Sequence, residues 1–136
     1  MLVEVEPAVP ASRGFAIVVD GLALGDVVLS EIEPVQGTAW VEYRLAAAGS
    51  GTGILARALA TVAEWAFAEL GLFRLELSHR VDLPAVCRVA SRAGFLAEGV
   101  ERQKFAVSTG RVDAETHARL RTDPRPALSL LGLQAL

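Results

Sequence analysis

Apolar residues along this chain recur with two different periods, and the change from one to the other divides it. Residues 1–13 are broken by Pro7 and Pro10 and read as an irregular lead-in. The run "FAIVVD" (15–20) is compact and β-branched, which predicts a strand ending at an Asp20-Gly21 turn. "GDVVLSEIE" (25–33) predicts a second strand, stopped by Pro34 and Gly37. "TAWVEYRLA" (38–46) alternates, placing Trp40, Glu42 and Arg44 on one face and Val41, Tyr43 and Leu45 on the other. These three strands form an antiparallel meander.

From Ile54 to Leu70 the period becomes helical. Ile54, Leu55, Leu59, Val62, Ala66 and Leu70 share a face, Arg57, Thr61, Glu64 and Glu69 take exposed positions, and Gly71 closes the helix. "FRLELSH" (73–79) is a further strand. "LPAVCRVASRAGF" (83–95) is a short helix with Pro84 in its first turn and Gly94 at its end. "FLAEGVERQKFAV" and "GRVDAETHARL" predict two closing strands joined at Thr109-Gly110. The order is β-β-β-α-β-α-β-β. A right-handed crossover makes strands 38–46 and 73–79 parallel. With no repeat and no long linker, the expectation is one α/β (mixed α+β) domain over residues 1–136, built on a central, mostly antiparallel sheet flanked by helices. The apolar tail 125–136 should dock on the domain or on a partner.

Composition narrows the function. At 52% hydrophobic and 21% charged residues, the 136-residue chain has material for a core and is not disordered. A net charge of −3, with Lys104 the only lysine and the arginines scattered, argues against a general nucleic-acid binder. No run reaches the roughly 18 apolar residues of a membrane helix, and the acidic, proline-broken start is not a signal peptide. A single cysteine, Cys87, makes no internal disulfide and suits a reducing cytoplasm.

The chemistry centres on "LAAAGSGTGILARAL" (45–59), where a strand ends in glycines that open a helix. First-turn N–H groups lack intrahelical acceptors and the helix dipole adds attraction, so such a junction is an anion site. A plain strand-to-helix loop is the alternative. A Walker A reading fails for want of lysine. "GTGILA" fits a dinucleotide fingerprint, but the preceding strand is amphipathic and the following one ends in Ser78-His79, not an acidic residue.

An ordered set of stretches decides among these. "VEYRL", "SGTGILARAL", "WAFAELGLFRLEL", "VDLPAVCRVASRAGF", "AEGVERQ" and "HARLRTDP", spread over 38–124, resemble the GNAT acetyltransferases, most of all the branch acting on ribosomal-protein N-termini and small amines. The resemblance implies the GNAT acyl-coenzyme A N-acyltransferase fold, in which the strand before the glycines bulges and splays from its parallel neighbour. Pantetheine of acetyl-coenzyme A, the co-substrate, lies in that gap, and the pyrophosphate sits on the helix N-terminus. It assigns cofactor contacts to Arg44, Leu45, Ser50, Gly51, Thr52, Gly53, Ile54, Leu55, Leu83 and Val86, with Gly53 in the invariant place of the Q/R-x-x-G-x-G/A motif. Four positions depart from the pattern. Ser50 replaces Arg or Gln, Leu55 a small residue, Leu83 an asparagine and Val86 a serine. The chain is also short at its N-terminus relative to the family, which begins with a strand and two helices walling the acceptor site.

Acetyl transfer to an amine needs a base, an oxyanion donor and an acid for the thiolate. Glu42 is the first base candidate, Glu31 and Glu33 are weaker rivals, and His79 stands where the thiol should lie. Backbone groups at Arg44 and Leu45 would serve the oxyanion if the bulge forms. Tyr43 is expected to face the core, and no positioned acid is evident. His117 and Cys87 read as structural, Trp40 and Trp65 as core or interface residues. With the histidines distant in sequence from each other, no metal site is expected. The implied activity is direct N-acetyl transfer to a primary amine of a small molecule or a protein N-terminus, in a possible homodimer or with a partner completing the acceptor site, and without nucleic acid or membrane. A member that binds without acetylating is the alternative.

Overall fold

The structure, a computed structural model, describes residues 1–7, 9–46 and 52–136. Its strands are β1 (Leu2–Val5), β2 (Arg13–Val19), β3 (Leu22–Glu33), β4 (Thr38–Leu45), β5 (Arg74–Arg80), β6 (Leu96–Val107), β7 (Gly110–Leu120) and β8 (Leu133–Gln134). Helix α1 (Ile54–Glu69) joins β4 to β5, and α2 (Pro84–Arg92) joins β5 to β6. The strands form one sheet in the order β6-β7-β5-β4-β3-β2-β1-β8. Pairing is antiparallel except for β4–β5 and β1–β8.

The residue pattern and the elements agree along the middle of the chain. On β4, Ala39 and Val41 are buried and Glu42 and Arg44 exposed, as the alternation requires. The ends differ. The lead-in contributes β1, whose Leu2 is fully buried and pairs with Ile17. The apolar tail closes on its own domain: β8 runs parallel to β1, and the Leu2 amide donates to the Gly132 carbonyl at 2.7 Å. The proline pattern hid β1, because a four-residue strand carries little periodicity of its own. The tail is therefore engaged within the domain.

Both helices cover the same face of the sheet. Trp65 of α1 meets Phe15 of β2 edge-on at 5.0 Å between ring centroids, and the Tyr43 hydroxyl of β4 donates to the Val86 carbonyl of α2 at 3.3 Å. Leu29, Val41, Leu59, Val62, Leu75 and Phe95 lie in the core between sheet and helices. Thr61, expected to be exposed, is buried. Its hydroxyl donates to the Arg57 carbonyl and accepts the Leu131 amide at 2.9 Å, because the C-terminal segment runs over that side of α1. Glu64 ties the same regions together. It pairs with the buried Arg119 of β7 and with Arg125.

Candidate active site

Strands β4 and β5 start as partners and then part. Their registered pairs are Thr38↔Arg74, Ala39↔Leu75 and Trp40↔Glu76. Beyond Trp40, β4 continues to Leu45 and β5 to Arg80 without pairing to each other. The splay expected of this pair is thus present. The bulge expected on β4 is not there. It lies on β3, where Glu31 and Ile32 stand opposite Ala39 alone and Glu31 adopts a φ of 49°. Against β3, β4 keeps a regular register from Trp40 to Leu45. Gly25 makes that fit possible, since a Cβ there would lie 2.2 Å from the Arg44 carbonyl oxygen.

Where the strands part, an open cavity of about 750 Å³ is lined by β4, the N-terminal end of α1, and α2. Gly53 caps α1 with φ 74° and ψ 2°, a left-handed conformation that favours glycine. The first turn holds no acidic residue. The Thr52 hydroxyl accepts the Ile54 amide at 3.3 Å, and Leu55 and Ala56, whose first-turn N–H groups precede the regular intrahelical ladder, line the cavity. From α2, Arg88 and Arg92 face the same space one turn apart, with Ala85 and Val89 beside them. The Arg92 guanidinium stands 3.6 Å from where a Gly53 Cβ would be. Arg44 also lines the cavity, its guanidinium held by Asp26 at 2.9 Å. Two arginines of α2, Arg88 and Arg92, therefore stand beside the N-terminus of α1, and no acidic residue is among those lining the cavity. The remaining wall is apolar, from Leu45, Leu55, Val86 and Val89. The arrangement suits an anion joined to a long, partly apolar arm.

Several expected residues meet here: Arg44, Leu45, Gly53, Leu55 and Val86 all line the cavity. Ile54 is half-buried and turns to the core, and Leu83 is exposed at the N-cap of α2. Ser50 and Gly51 lie outside the described residues. Tyr43, expected in the core, lines the cavity, where burial first and then the nearby Cys87 push its hydroxyl's pKa well up. Sequence reasoning missed Arg88 and Arg92. Their i, i+4 spacing on a helix was legible, but nothing local says that α2 packs beside the start of α1.

The catalytic candidates separate. Glu42 is exposed on the face of β4 opposite Tyr43, outside the cavity lining. His79 is buried and also outside that lining, with both ring nitrogens engaged. Its Nδ1 lies 3.1 Å from the Arg80 carbonyl oxygen and its Nε2 2.9 Å from Nε2 of His117. The two histidines, far apart in sequence, thus pack together between β5 and β7. Glu115 joins them, its Oε1 2.9 Å from His117 Nε2, and the Cys87 thiol donates to the same oxygen at 3.3 Å. Burial and the neighbouring carboxylate push the thiol pKa up. The hydrogen bond from Cys87 first, and then the contact with His117, hold Glu115 below the usual carboxylate range.

A family model described as an acetyltransferase (GNAT) domain matches residues 5–96. The chain belongs to that family. This GNAT chain is 32% identical over 110 residues to a ribosomal-protein-serine acetyltransferase of Escherichia coli, covering 80% of itself and 61% of that protein. It is 33% identical over 107 residues to the probable N-acetyltransferase YjcK of Bacillus subtilis, covering 76% and 58% respectively. It thus spans about three-fifths of the length of these relatives. Among solved structures, a ribosomal L7/L12 α-N-protein acetyltransferase in complex with coenzyme A superposes with a TM-score of 0.74 at 25% identity, over 81% of this chain and 62% of that one. A spermidine N-acetyltransferase of Vibrio cholerae, at 21% identity, 82% and 66% coverage and a TM-score of 0.77, shares the fold. Of the described residues, no helix is long and apolar enough to cross a membrane.

Proposed function

We propose that this GNAT domain transfers an acetyl group from acetyl-coenzyme A to a primary amine, on a small molecule or at a protein N-terminus. The observation that carries this is the parting of β4 from β5 beside an arginine-lined, open N-terminus of α1. When bound, the cofactor supplies an acyl group activated as a thioester. The chain's own groups would do the rest. The amides of Leu55 and Ala56, approached over Gly53, take the pyrophosphate together with Arg88 and Arg92. The arginine that the family motif carries at Ser50 is replaced in this reading by Arg92 from the neighbouring helix. Beyond Trp40, the edge of β4 that faces β5 has no strand partner, so it is free to hydrogen-bond an extended pantetheine arm as another strand would. Leu45, Leu55, Val86 and Val89 keep that arm out of water.

Glu42 remains the base in this reading, reaching an amine that arrives from the open face of the sheet. His79 is removed from that role by its two engaged nitrogens. A cytoplasmic location and a homodimer belong to the same reading, and light scattering checks the dimer. The central test is calorimetry with acetyl-coenzyme A, followed by an assay of free coenzyme A release across a panel of amines. Binding should be lost in Gly53→Arg, and amine-dependent release should drop in Glu42→Gln without loss of cofactor affinity. Failure of the wild-type protein to bind at millimolar acetyl-coenzyme A would sink the proposal.

A further inference from the structure

The cluster of His79, Cys87, Glu115 and His117 has no part in the cavity and has a chemistry of its own. His79 and Glu115 are direct cross-strand partners on β5 and β7, His117 lies two residues along β7 on the same face, and Cys87 comes down from α2. Each imidazole Nδ1 meets a backbone carbonyl, Arg80 at 3.1 Å and Phe95 at 3.0 Å. A carbonyl only accepts, so both Nδ1 atoms carry a proton, and with both rings neutral both Nε2 atoms present lone pairs. Those lone pairs face each other at 2.9 Å, with the Glu115 carboxylate oxygen 2.9 Å from one of them. The thiol is the one donor among four converging ligand atoms. A single extra proton would relieve one of these contacts. A divalent cation would relieve all of them.

We propose that these four side chains form a tetrahedral zinc(II) site that fastens α2 to β5 and β7. Bonds of about 2.0 Å to nitrogen and oxygen and 2.3 Å to sulfur set tetrahedral edges of about 3.3–3.5 Å. The observed separations run 2.9, 2.9, 3.3, 3.7 and 3.9 Å, and all four atoms fall within 4.8 Å of one another. Binding releases the Cys87 proton to solvent. Thiolate and carboxylate then balance the ion, so the half-buried site is neutral. The two Nδ1–carbonyl contacts are the outer-shell bonds that orient metal-bound histidines. A mixed nitrogen, oxygen and sulfur set in tetrahedral array suits zinc, whereas copper(II) favours a tetragonal plane. The site stands whether or not the domain transfers acetyl groups. It bears on that function through α2, which carries Arg88 and Arg92.

The test uses the full chain without a histidine tag. After zinc titration and dialysis, elemental analysis should find a single zinc per chain. The chelator-treated protein reconstituted with cobalt(II) should show intense tetrahedral d–d bands and a thiolate-to-cobalt charge-transfer band. Cys87→Ser should lose the charge-transfer band, and zinc should raise the unfolding temperature of the wild type but not of His117→Ala. Absence of zinc from the wild type after titration, an octahedral cobalt spectrum, or a charge-transfer band that persists in Cys87→Ser would each overturn the proposal.

Discussion

At the scale of single residues, the proposed anion site draws on groups from two segments, the start of α1 and α2. Gly53 leaves room over the first turn of α1, and Arg92 fills the side of that space with a guanidinium 3.6 Å from the absent Cβ. Arg88 and Arg92 are exposed, and neither pairs with a carboxylate among the described residues, so neither holds the fold together. Replacing either therefore removes a ligand contact with little effect on stability. A charge-assisted hydrogen bond is worth about 1.5–3 kcal/mol, which is about tenfold or more in affinity. Arg92→Ala and Arg88→Ala should each weaken coenzyme A binding by that factor in calorimetry, with an unchanged urea midpoint. An unaltered affinity in both variants would remove the arginines from the site. Residue reading of the motif alone pointed to a deficit at Ser50. The compensation proposed for it comes from α2, 38 or more positions later in the chain, and no local pattern reveals it.

At the scale of elements, the legible parts were those with a strong period. β4 and α1 announce themselves through alternation and helical spacing, and β7 was bounded correctly by Gly110 and Leu120. β1 and β8 were not legible, because a four-residue and a two-residue strand exist only through pairing with each other and with β2. The family pattern located the splay but put the bulge on β4. The structure puts it on β3, where Glu31 and Ile32 supply the extra residue and β4 stays regular. Gly25 gives this a measurable consequence. The β3 and β4 backbones approach so closely that a methyl at Gly25 would meet the Arg44 carbonyl at 2.2 Å and the Leu45 Cα at 3.0 Å. Backbone atoms cannot step aside as a side chain would, so β4 must shift at its cavity end. Gly25→Ala should cost about 1–3 kcal/mol in denaturant unfolding, in the range of overpacked cores. It should also weaken coenzyme A binding, since Arg44 and Leu45 line the cavity. Gly21→Ala is the control for glycine loss as such, because nothing lies within 4 Å of that position. Its turn conformation, with φ 78°, should make it destabilising without changing affinity.

At the scale of the whole molecule, the two ends of the chain close the far side of the sheet from the cavity, and one carboxylate joins them. Glu4 on β1 is buried, accepts Arg13 Nε of β2 at 2.5 Å and accepts the Leu136 amide at 3.2 Å. Burial alone would push its carboxyl up. The hydrogen bonds from Arg13 and Leu136, with the guanidinium's charge, outweigh burial and hold it below the usual carboxylate range. A carboxyl whose pKa is lower in the folded state stabilises the fold fully above its unfolded pKa, and that stabilisation fades as pH falls through the folded value. The wild type should therefore be more stable than Glu4→Gln by a margin that is greatest at neutral pH. That margin should shrink once pH drops below about 4.3, the ordinary glutamate value. Urea unfolding of both proteins at a series of pH values measures it directly, and taking the difference cancels the other carboxylates. A margin that stays constant into acid would mean that Glu4 acts by packing and not by charge.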